Sequence, residues 1–363
     1  MLLRANNIQS GELVFDDVQY VDCSKVKPNQ LLRKGDILIC ASSGSKCLVG
    51  KAALVREDMP VTFGAFCCVL RTLFNESDYL GFYFQSKQYR RAIEQVCSGS
   101  NINNLKADNF YSLDVPFYVE SERGIISAQF SSIVSQSKRI ECYLASLDTL
   151  VKSRFVEMFG DPVSNTMDWE ISTIKETAVT YGDGPFGSNL KSSDYVDEGV
   201  RVIRLGNILT GSFSERDRSF VSFEKYERLK KYECKPGEVV IGTLGDPLLR
   251  ACIVPDFGVP SIHKADCMYY ETDKSKVLPV FAMSVINQPT MLKRAMLDMH
   301  GQTRARINST QVGNLPMMLP PLALQQEFAD FVNRVDKLRV EAQAQKEKLQ
   351  TLYDSLAQDY FAI

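Results

Sequence analysis

Two short polar stretches gather the side chains of this chain that can hold a planar or anionic partner at two points. They are Ser98-Gly-Ser-Asn-Ile-Asn-Asn-Leu-Lys106 and His300-Gly-Gln-Thr-Arg-Ala-Arg-Ile-Asn308. Amides at Asn101, Asn103, Asn104 and Gln302, and guanidinium groups at Arg304 and Arg306, each present two hydrogen-bonding groups in one plane, with Thr303 and Lys106 beside them. The loops Ser42-Ser43-Gly44-Ser45-Lys46 and Thr243-Leu244-Gly245-Asp246 add hydroxyls, charges and glycines that permit close approach. Basic residues also group at Lys46 and Lys51, Lys87 to Arg91, Lys225 to Lys235 and Lys293-Arg294, whereas acids gather at Asp16-Asp17 and Glu120 to Glu122. Solvated helix faces and turns carry such clusters too. With 42 Lys and Arg against 44 Asp and Glu, the formal charge of -2 neither demands nor forbids a polyanionic partner.

Metal and nucleophile chemistry find less support. Ten cysteines stand at irregular spacings with no Cys-x-x-Cys, and there are two histidines, so reduced, mostly buried thiols are expected and a zinc site is not. Glu233-Cys-Lys235 has a nuclease-like spacing, common by chance, without a convincing preceding Asp. Nothing points to a Ser-His-Asp constellation.

The elements that must position these loops occur twice, at an offset of about 200 residues. Arg4, Asn7, Ile8 and Gly11 lie over Arg204, Asn207, Ile208 and Gly211, and Lys34-Gly-Asp-Ile-Leu-Ile-Cys40 over Pro236-Gly-Glu-Val-Val-Ile-Gly242. Arg90-Arg91-Ala92 meets Lys293-Arg294-Ala295, and Phe159 meets Phe361. In each copy a buried strand (36 to 40, 238 to 241) leads through a polar loop into a second strand. A helical stretch follows, Tyr79 to Val96 or Val280 to Met299. The recurring Arg and Asn suit either a turn closing a strand or a phosphate contact. A chain of 363 residues with 45% apolar content holds two such domains. No apolar run reaches signal-peptide length in Met1 to Asp17, and none approaches the ~18 to 20 residues of a membrane span, so a cytoplasmic location is the expectation.

A long helix closes each copy. Ile126, Phe130, Ile133, Val134, Ile140, Leu144, Leu147, Val151, Phe155 and Met158 recur at three and four until Gly160-Asp161-Pro162. After Pro320-Pro321, Phe328, Phe331, Val332, Val335, Leu338, Leu349, Leu352 and Leu356 mark the second stripe. Helices of this length with one narrow stripe seek a partner helix. Connectivity then predicts an antiparallel pair with a globular domain at each end, holding the two domains a fixed distance apart. The expected class is α+β, with a domain over 1–118, a helix over 119–161, a second domain over 162–319 and a helix over 320–363.

This arrangement resembles the specificity subunit of type I restriction-modification systems. Its most specific marks are Leu319-Pro-Pro-Leu-Ala-Leu-Gln-Gln-Glu-Phe328 and Tyr181-Gly-Asp-Gly-Pro-Phe-Gly-Ser-Asn-Leu-Lys-Ser-Ser-Asp-Tyr195, followed by Gly199-Val-Arg-Val-Ile-Arg-Leu-Gly-Asn-Ile208. The resemblance implies two target recognition domains that each read half of a split DNA sequence, and helices that set the spacing and dock two methyltransferase subunits. Restriction subunits would join through the complex, and S-adenosylmethionine would sit in the methyltransferase, with no cofactor on this chain. On double-stranded DNA, Ser43, Ser45, Lys46, Asn101, Asn103, Asn104 and Lys106 of the first domain are candidate contacts. In the second they are Thr243, Asp246, Gln302, Thr303, Arg304 and Arg306, whose amides and guanidinium groups suit bidentate readout of adenine or guanine. Ser188, Asn189, Lys191 and Ser192 carry over from the family's loop, with Phe186 a packing residue. His263 and Lys264 are further candidates, although a lone His is more often structural.

No Asn/Asp-Pro-Pro-aromatic loop and no Gly-x-x-x-x-Gly-Lys-Ser/Thr loop is present; Asp161-Pro162-Val163 and Asp246-Pro247-Leu248 lack the second proline and the aromatic. A binding subunit is therefore expected rather than an enzyme. The alternative is an adaptor or inhibitory subunit that docks the methyltransferase without competent two-site reading. Residues 163–200 have no counterpart in the first copy, so the first domain is expected to be N-terminally incomplete relative to the repeat, with weakened or altered recognition of its half-site.

Overall fold

The computed structural model describes residues 1–72, 77–98, 104–186, 189–297 and 306–362. The chain is a mixture of helices and sheets and divides into two compact units, 1–143 with 341–363, and 144–340.

Unit 1 opens with β1 (Leu2–Leu3) and the hairpin β2 (Ile8–Gln9) and β3 (Glu12–Leu13). Its central sheet has the order β5-β4-β7, from β4 (Ile37–Cys40), β5 (Ala52–Leu54) and β7 (Cys67–Leu70), while β6 (Thr62–Phe63) pairs in parallel with β1. Every residue of β4 is buried, because the strand is covered on both faces: Ile37 and Ile39 face the core against the helices, Leu38 and Cys40 a second core beside β1. Alternation of side chains across a strand explains the division, and burial on both sides explains the unbroken apolar run. The helices are α1 (Ser77–Tyr83), α2 (Lys87–Ser98), α3 (Ala107–Tyr111) and the first part of α4 (Glu120–Phe159).

Unit 2 repeats this plan with more strands. Ahead of the strand that matches β4 come β8 (Ile171–Thr173), β9 (Ala178–Asp183), β10 (Tyr195–Val196), β11 (Val200–Ile203), the hairpin β12 (Ile208–Leu209) and β13 (Ser212–Phe213), β14 (Ser219–Val221) and β15 (Glu233–Cys234). β16 (Val239–Gly242), β17 (Arg250–Ile253) and β19 (Cys267–Thr272) join β9 in a four-stranded sheet of order β17-β16-β19-β9. β18 (Ser261–His263) lies in a five-stranded sheet of order β10-β14-β11-β18-β15, and β20 (Pro316–Met318) pairs with β8. The helices are α5 (Phe223–Leu229), α6 (Pro279–Ile286), α7 (Pro289–Leu297), α8 (Ser309–Gly313) and the first part of α9 (Leu322–Phe361).

The two helical stretches read as single from sequence are each broken in two. In unit 2 Pro289 starts α7, and Asn287 leaves the helix to exchange two hydrogen bonds with the backbone of Ala251, at 2.8 and 2.9 Å. In unit 1 the Ser86 hydroxyl accepts the Tyr89 amide at 3.1 Å and begins α2.

The long helices are 40 residues each, about 60 Å at ~1.5 Å per residue. Gly160 at φ +72, whose amide bonds Val156 at 2.9 Å, ends α4. Within unit 1 the helices run in opposite directions: Phe130 meets Tyr353 and Phe361 at ring distances of 4.9 and 5.5 Å, and Lys346 pairs with Glu141 at 2.7 Å. Within unit 2 the same sense holds, with Arg154 on Glu327 at 2.8 Å and Arg339 on Asp148 at 2.7 Å. Phe155, Phe159, Phe281 and Phe328, all fully buried, interlock edge to face and stacked at the base of the unit 2 sheet.

Candidate nucleic-acid interface

In unit 2 three loops leave the same end of the four-stranded sheet and are sewn together by backbone bonds at one residue. Thr243, just past β16, donates its amide to the Asp266 carbonyl at 2.9 Å and accepts the Ile307 amide at 3.0 Å. The β16–β17 loop, the β18–β19 turn and the segment entering α8 therefore meet, and Leu244 and Arg306 form an antiparallel bridge beyond the stitch. Gly184 lets the chain leaving β9 press against this turn, since a Cβ there would lie 2.4 Å from the Lys264 backbone.

Side chains at the junction are pre-set. Arg306 is exposed, its guanidinium 3.1 Å from the Asp266 carboxylate and 5.6 Å from the ring centre of exposed Phe186. Asp266 holds the left-handed conformation, φ 66, that turns the chain here. Arg250 fixes the neighbouring loop by donating to the carbonyls of Leu244, Pro247, Leu205 and Ile208 at 2.6 to 3.3 Å. From the same turn as Asp266, the Lys264 ammonium bonds the Tyr195 hydroxyl at 3.0 Å. Nearby, Asp194 accepts the Lys191 amide at 2.6 Å and pairs with Lys225 at 3.0 Å, and those two contacts hold its carboxyl below the usual range.

Unit 1 builds the same junction from different side chains. Ala41 donates to Phe66 at 2.9 Å and accepts from Leu105 at 2.7 Å, and Ser42 and Asn104 form the bridge. Asn104 thus stands where unit 2 has Arg306, and Phe66, 68% exposed, where it has Asp266. The loop is clamped from α2, where Arg90 donates to the carbonyls of Val49 and Lys46 at 2.7 and 3.1 Å. Ser45 and Lys46 are exposed, Ser43 is half-buried with its hydroxyl accepting the Ser45 amide at 3.2 Å, and Lys106 caps α3.

Asn189, Lys191, Ser192 and Asp246 are exposed on unit 2 loops. Two candidates move indoors. Thr243 is 1% exposed and works through its backbone. His263 is 3% exposed, between the Tyr232 carbonyl at 2.9 Å and the Cys234 sulfur at 3.3 Å, and burial pushes its pKa down to about 4. A strand covered on both faces carries no alternation that would flag a buried His. Asn101, Asn103, Ser188, Gln302, Thr303 and Arg304 lie outside the described residues.

Arg250, Asp266 and Tyr195, single polar residues in or beside strands, carry no periodic signal, and Arg90 is legible in the sequence only as one of the basic residues from Lys87 to Arg91. The recurring asparagines prove to be turn staples. Buried Asn7 accepts the Arg4 amide at 2.8 Å and donates to the Val14 and Asp17 carbonyls at 2.9 and 3.0 Å. Asn207 does the same with Arg204, Ser214 and Asp217 at 2.8, 2.8 and 2.7 Å. Glu233 is engaged by the Tyr226 hydroxyl at 2.6 Å and Lys235 by Glu271 at 2.6 Å, with Cys234 between them buried. None of the ten cysteines is in a disulfide; six are buried, while Cys23, Cys47 and Cys142 are exposed. Among the described residues no helix is long and apolar enough to cross a membrane.

No protein-family profile matches the chain. It is 24% identical over 355 residues to the type I restriction enzyme StySPI specificity subunit of Salmonella potsdam, covering 93% of this chain and 74% of that one. To the EcoKI specificity subunit of Escherichia coli K12 it is 25% identical over 353 residues, covering 93% and 75%. Among solved structures, a chain from work on complex assembly and conformational transition of a type I R-M system matches with TM-score 0.55 at 16% identity, over 99% of this chain and 91% of that one. The S subunit of a type I restriction-modification system from M. genitalium gives 0.52 at 15% identity, over 92% and 85%. These two likenesses bear on the fold.

Proposed function

We propose that this chain, which resembles type I restriction specificity subunits along nearly its whole length, is the DNA sequence-specificity subunit of such a system, each unit reading one half of a bipartite target. The observation that carries this reading is the repeated junction. Backbone bonds are kept at Ala41 and Thr243, while the side chains they present differ: Asn104 against Arg306, Phe66 against Asp266, Ser42 against Leu244. A scaffold constant in backbone and variable in exposed side chains is what reading two different half-sites requires. A guanidinium held in plane can bond guanine O6 and N7, and a free amide can bond adenine N6 and N7. Lys46, Lys191 and Lys264 are the phosphate-gripping groups in this reading.

The long helices would set the spacing between half-sites and dock the methyltransferase subunits, which bring the cofactor and the chemistry. Support comes from the opposed helix directions found inside each unit. Restriction subunits would join through the assembled complex. The test is methylated-adenine sequencing in a host carrying this chain and its partner genes. A bipartite motif is expected, and Arg306→Ala should relax one half of it while Asn104→Ala relaxes the other. Methylation that shows no bipartite motif would overturn the reading.

A further inference from the structure

The central sheets of the two units match in register but not in width. β4 pairs with β7 through Cys40↔Cys67, Ile39↔Cys68, Leu38↔Val69 and Ile37↔Leu70, and β16 pairs with β19 through Gly242↔Cys267, Ile241↔Met268, Val240↔Tyr269 and Val239↔Tyr270. In unit 2 the far side of β19 carries β9, with Tyr269 opposite Gly182 and Tyr270 opposite Tyr181. In unit 1, among the described residues, β7 is the edge of its sheet. Met268, Tyr269 and Tyr270 are buried, whereas Cys68, Val69 and Leu70 are half-buried. The Ala41 amide bonds the Phe66 carbonyl, so antiparallel alternation turns the N–H and C=O of Val69 toward the open side. The matching odd-numbered position in unit 2 does face outward, where the Cys267 carbonyl accepts the Gly184 amide at 3.3 Å.

Three aromatic side chains of unit 1 are also largely exposed, although the Arg123 guanidinium lies 4.4 Å from the centre of the Phe117 ring. Tyr20 is 80% exposed, Phe117 75% and Tyr111 86%. Their unit 2 equivalents are Phe220, half-buried; Leu319, packed on the core; and Gly313, buried, where a Cβ would lie 3.0 Å from the Tyr181 ring. The equivalences follow from the repeated strand, bridge and helix-cap positions.

We propose that the outer edge of β7 is an acceptor for one extended peptide segment from outside these 363 residues, which adds an antiparallel strand in the register that β9 takes on β19. Backbone bonds to Val69 supply the attachment. Side-chain chemistry selects the segment. Opposite Leu70, where β9 has Tyr181 packed on Gly313, unit 1 carries Tyr111 at the position of that glycine, so the segment carries a small residue there. The part that follows the strand is apolar, to cover Tyr20 as Val196 of β10 lies opposite Phe220 in unit 2. This inference concerns the completeness of one sheet and does not rest on DNA reading.

The test uses the full chain and a synthetic peptide of residues 169–198 of this same protein, carrying Tyr181→Ala, with hydrogen exchange read at the Val69 amide. Exchange there is expected to be fast in the chain alone and to slow about tenfold or more at saturating peptide. The unsubstituted peptide should protect less, and Tyr111→Gly in the chain should abolish the difference between the two peptides. A Val69 amide already as slow as that of Tyr269 in the chain alone would overturn the proposal. So would no slowing with the Tyr181→Ala peptide, or equal slowing with a scrambled peptide.

Discussion

Replacing Asn207 by alanine strips a fully buried turn of three hydrogen bonds, to the Arg204 amide and to the carbonyls of Ser214 and Asp217. The Asp217 carbonyl keeps the Arg201 guanidinium at 2.7 Å, so the groups left stranded are the Arg204 N–H and the Ser214 C=O. At about 1 kcal/mol net for each lost bond, and more where a buried partner is left unsatisfied, the cost is about 2 to 4 kcal/mol. Trp169, the only tryptophan, packs on the unit 2 core and donates to the Phe159 carbonyl at 3.0 Å, so its fluorescence follows this unit. With a urea slope of about 2 kcal/mol per M, the midpoint should fall by about 1 to 2 M. A fall below about 0.3 M would refute the staple. A stable variant that loses affinity for target and random duplex alike would instead mark the asparagine turn as a phosphate contact.

Further outcomes follow from the same geometry. His263 is neutral when folded with its pKa near 4, against 6.5 for a free imidazole; the unfolded chain therefore binds the extra proton as pH falls through that window, and stability drops with it. Between pH 7 and pH 5 the loss is about 2 kcal/mol, and His263→Gln should flatten urea midpoints measured across that range. Phe130→Ala removes a fully buried ring packed on Phe82, Tyr353 and Phe361, and should cost about 3 to 5 kcal/mol in circular-dichroism unfolding. Arg306→Ala should cost about 1 to 3 kcal/mol in binding of target over random duplex by competition anisotropy. Asp266→Asn should lose part of that preference while leaving random-duplex binding in place.

Much of the architecture was legible because it is written twice. The run from Ile37 to Cys40 and its partner at 239 to 242 declared buried strands, and the three-four spacing from Ile126 to Met158 declared a helix. The break between α6 and α7 is not legible from spacing despite Pro289, because apolar spacing continues through both helices and Asn287 is an ordinary polar residue in sequence, its partner Ala251 lying 36 residues away. The site was legible as loops but not as contacts. Bridges such as Ser42 with Asn104 join residues far apart in sequence, and no local pattern records them. The hydroxyl makes Thr243 visible in the sequence, yet its bonds to Asp266 and Ile307 use its backbone, which every residue type shares.

The asparagine staples and the loop tips involve different residues. Asn7 and Asn207 close their turns with backbone partners alone, and Ala41 and Thr243 stitch the loops through main-chain atoms. Stability is therefore held by atoms that do not depend on which side chains the tips display. On the proposed reading, side chains such as those at 42, 66, 104, 244 and 306 can change without touching these bonds, so drift in specificity would carry little folding penalty.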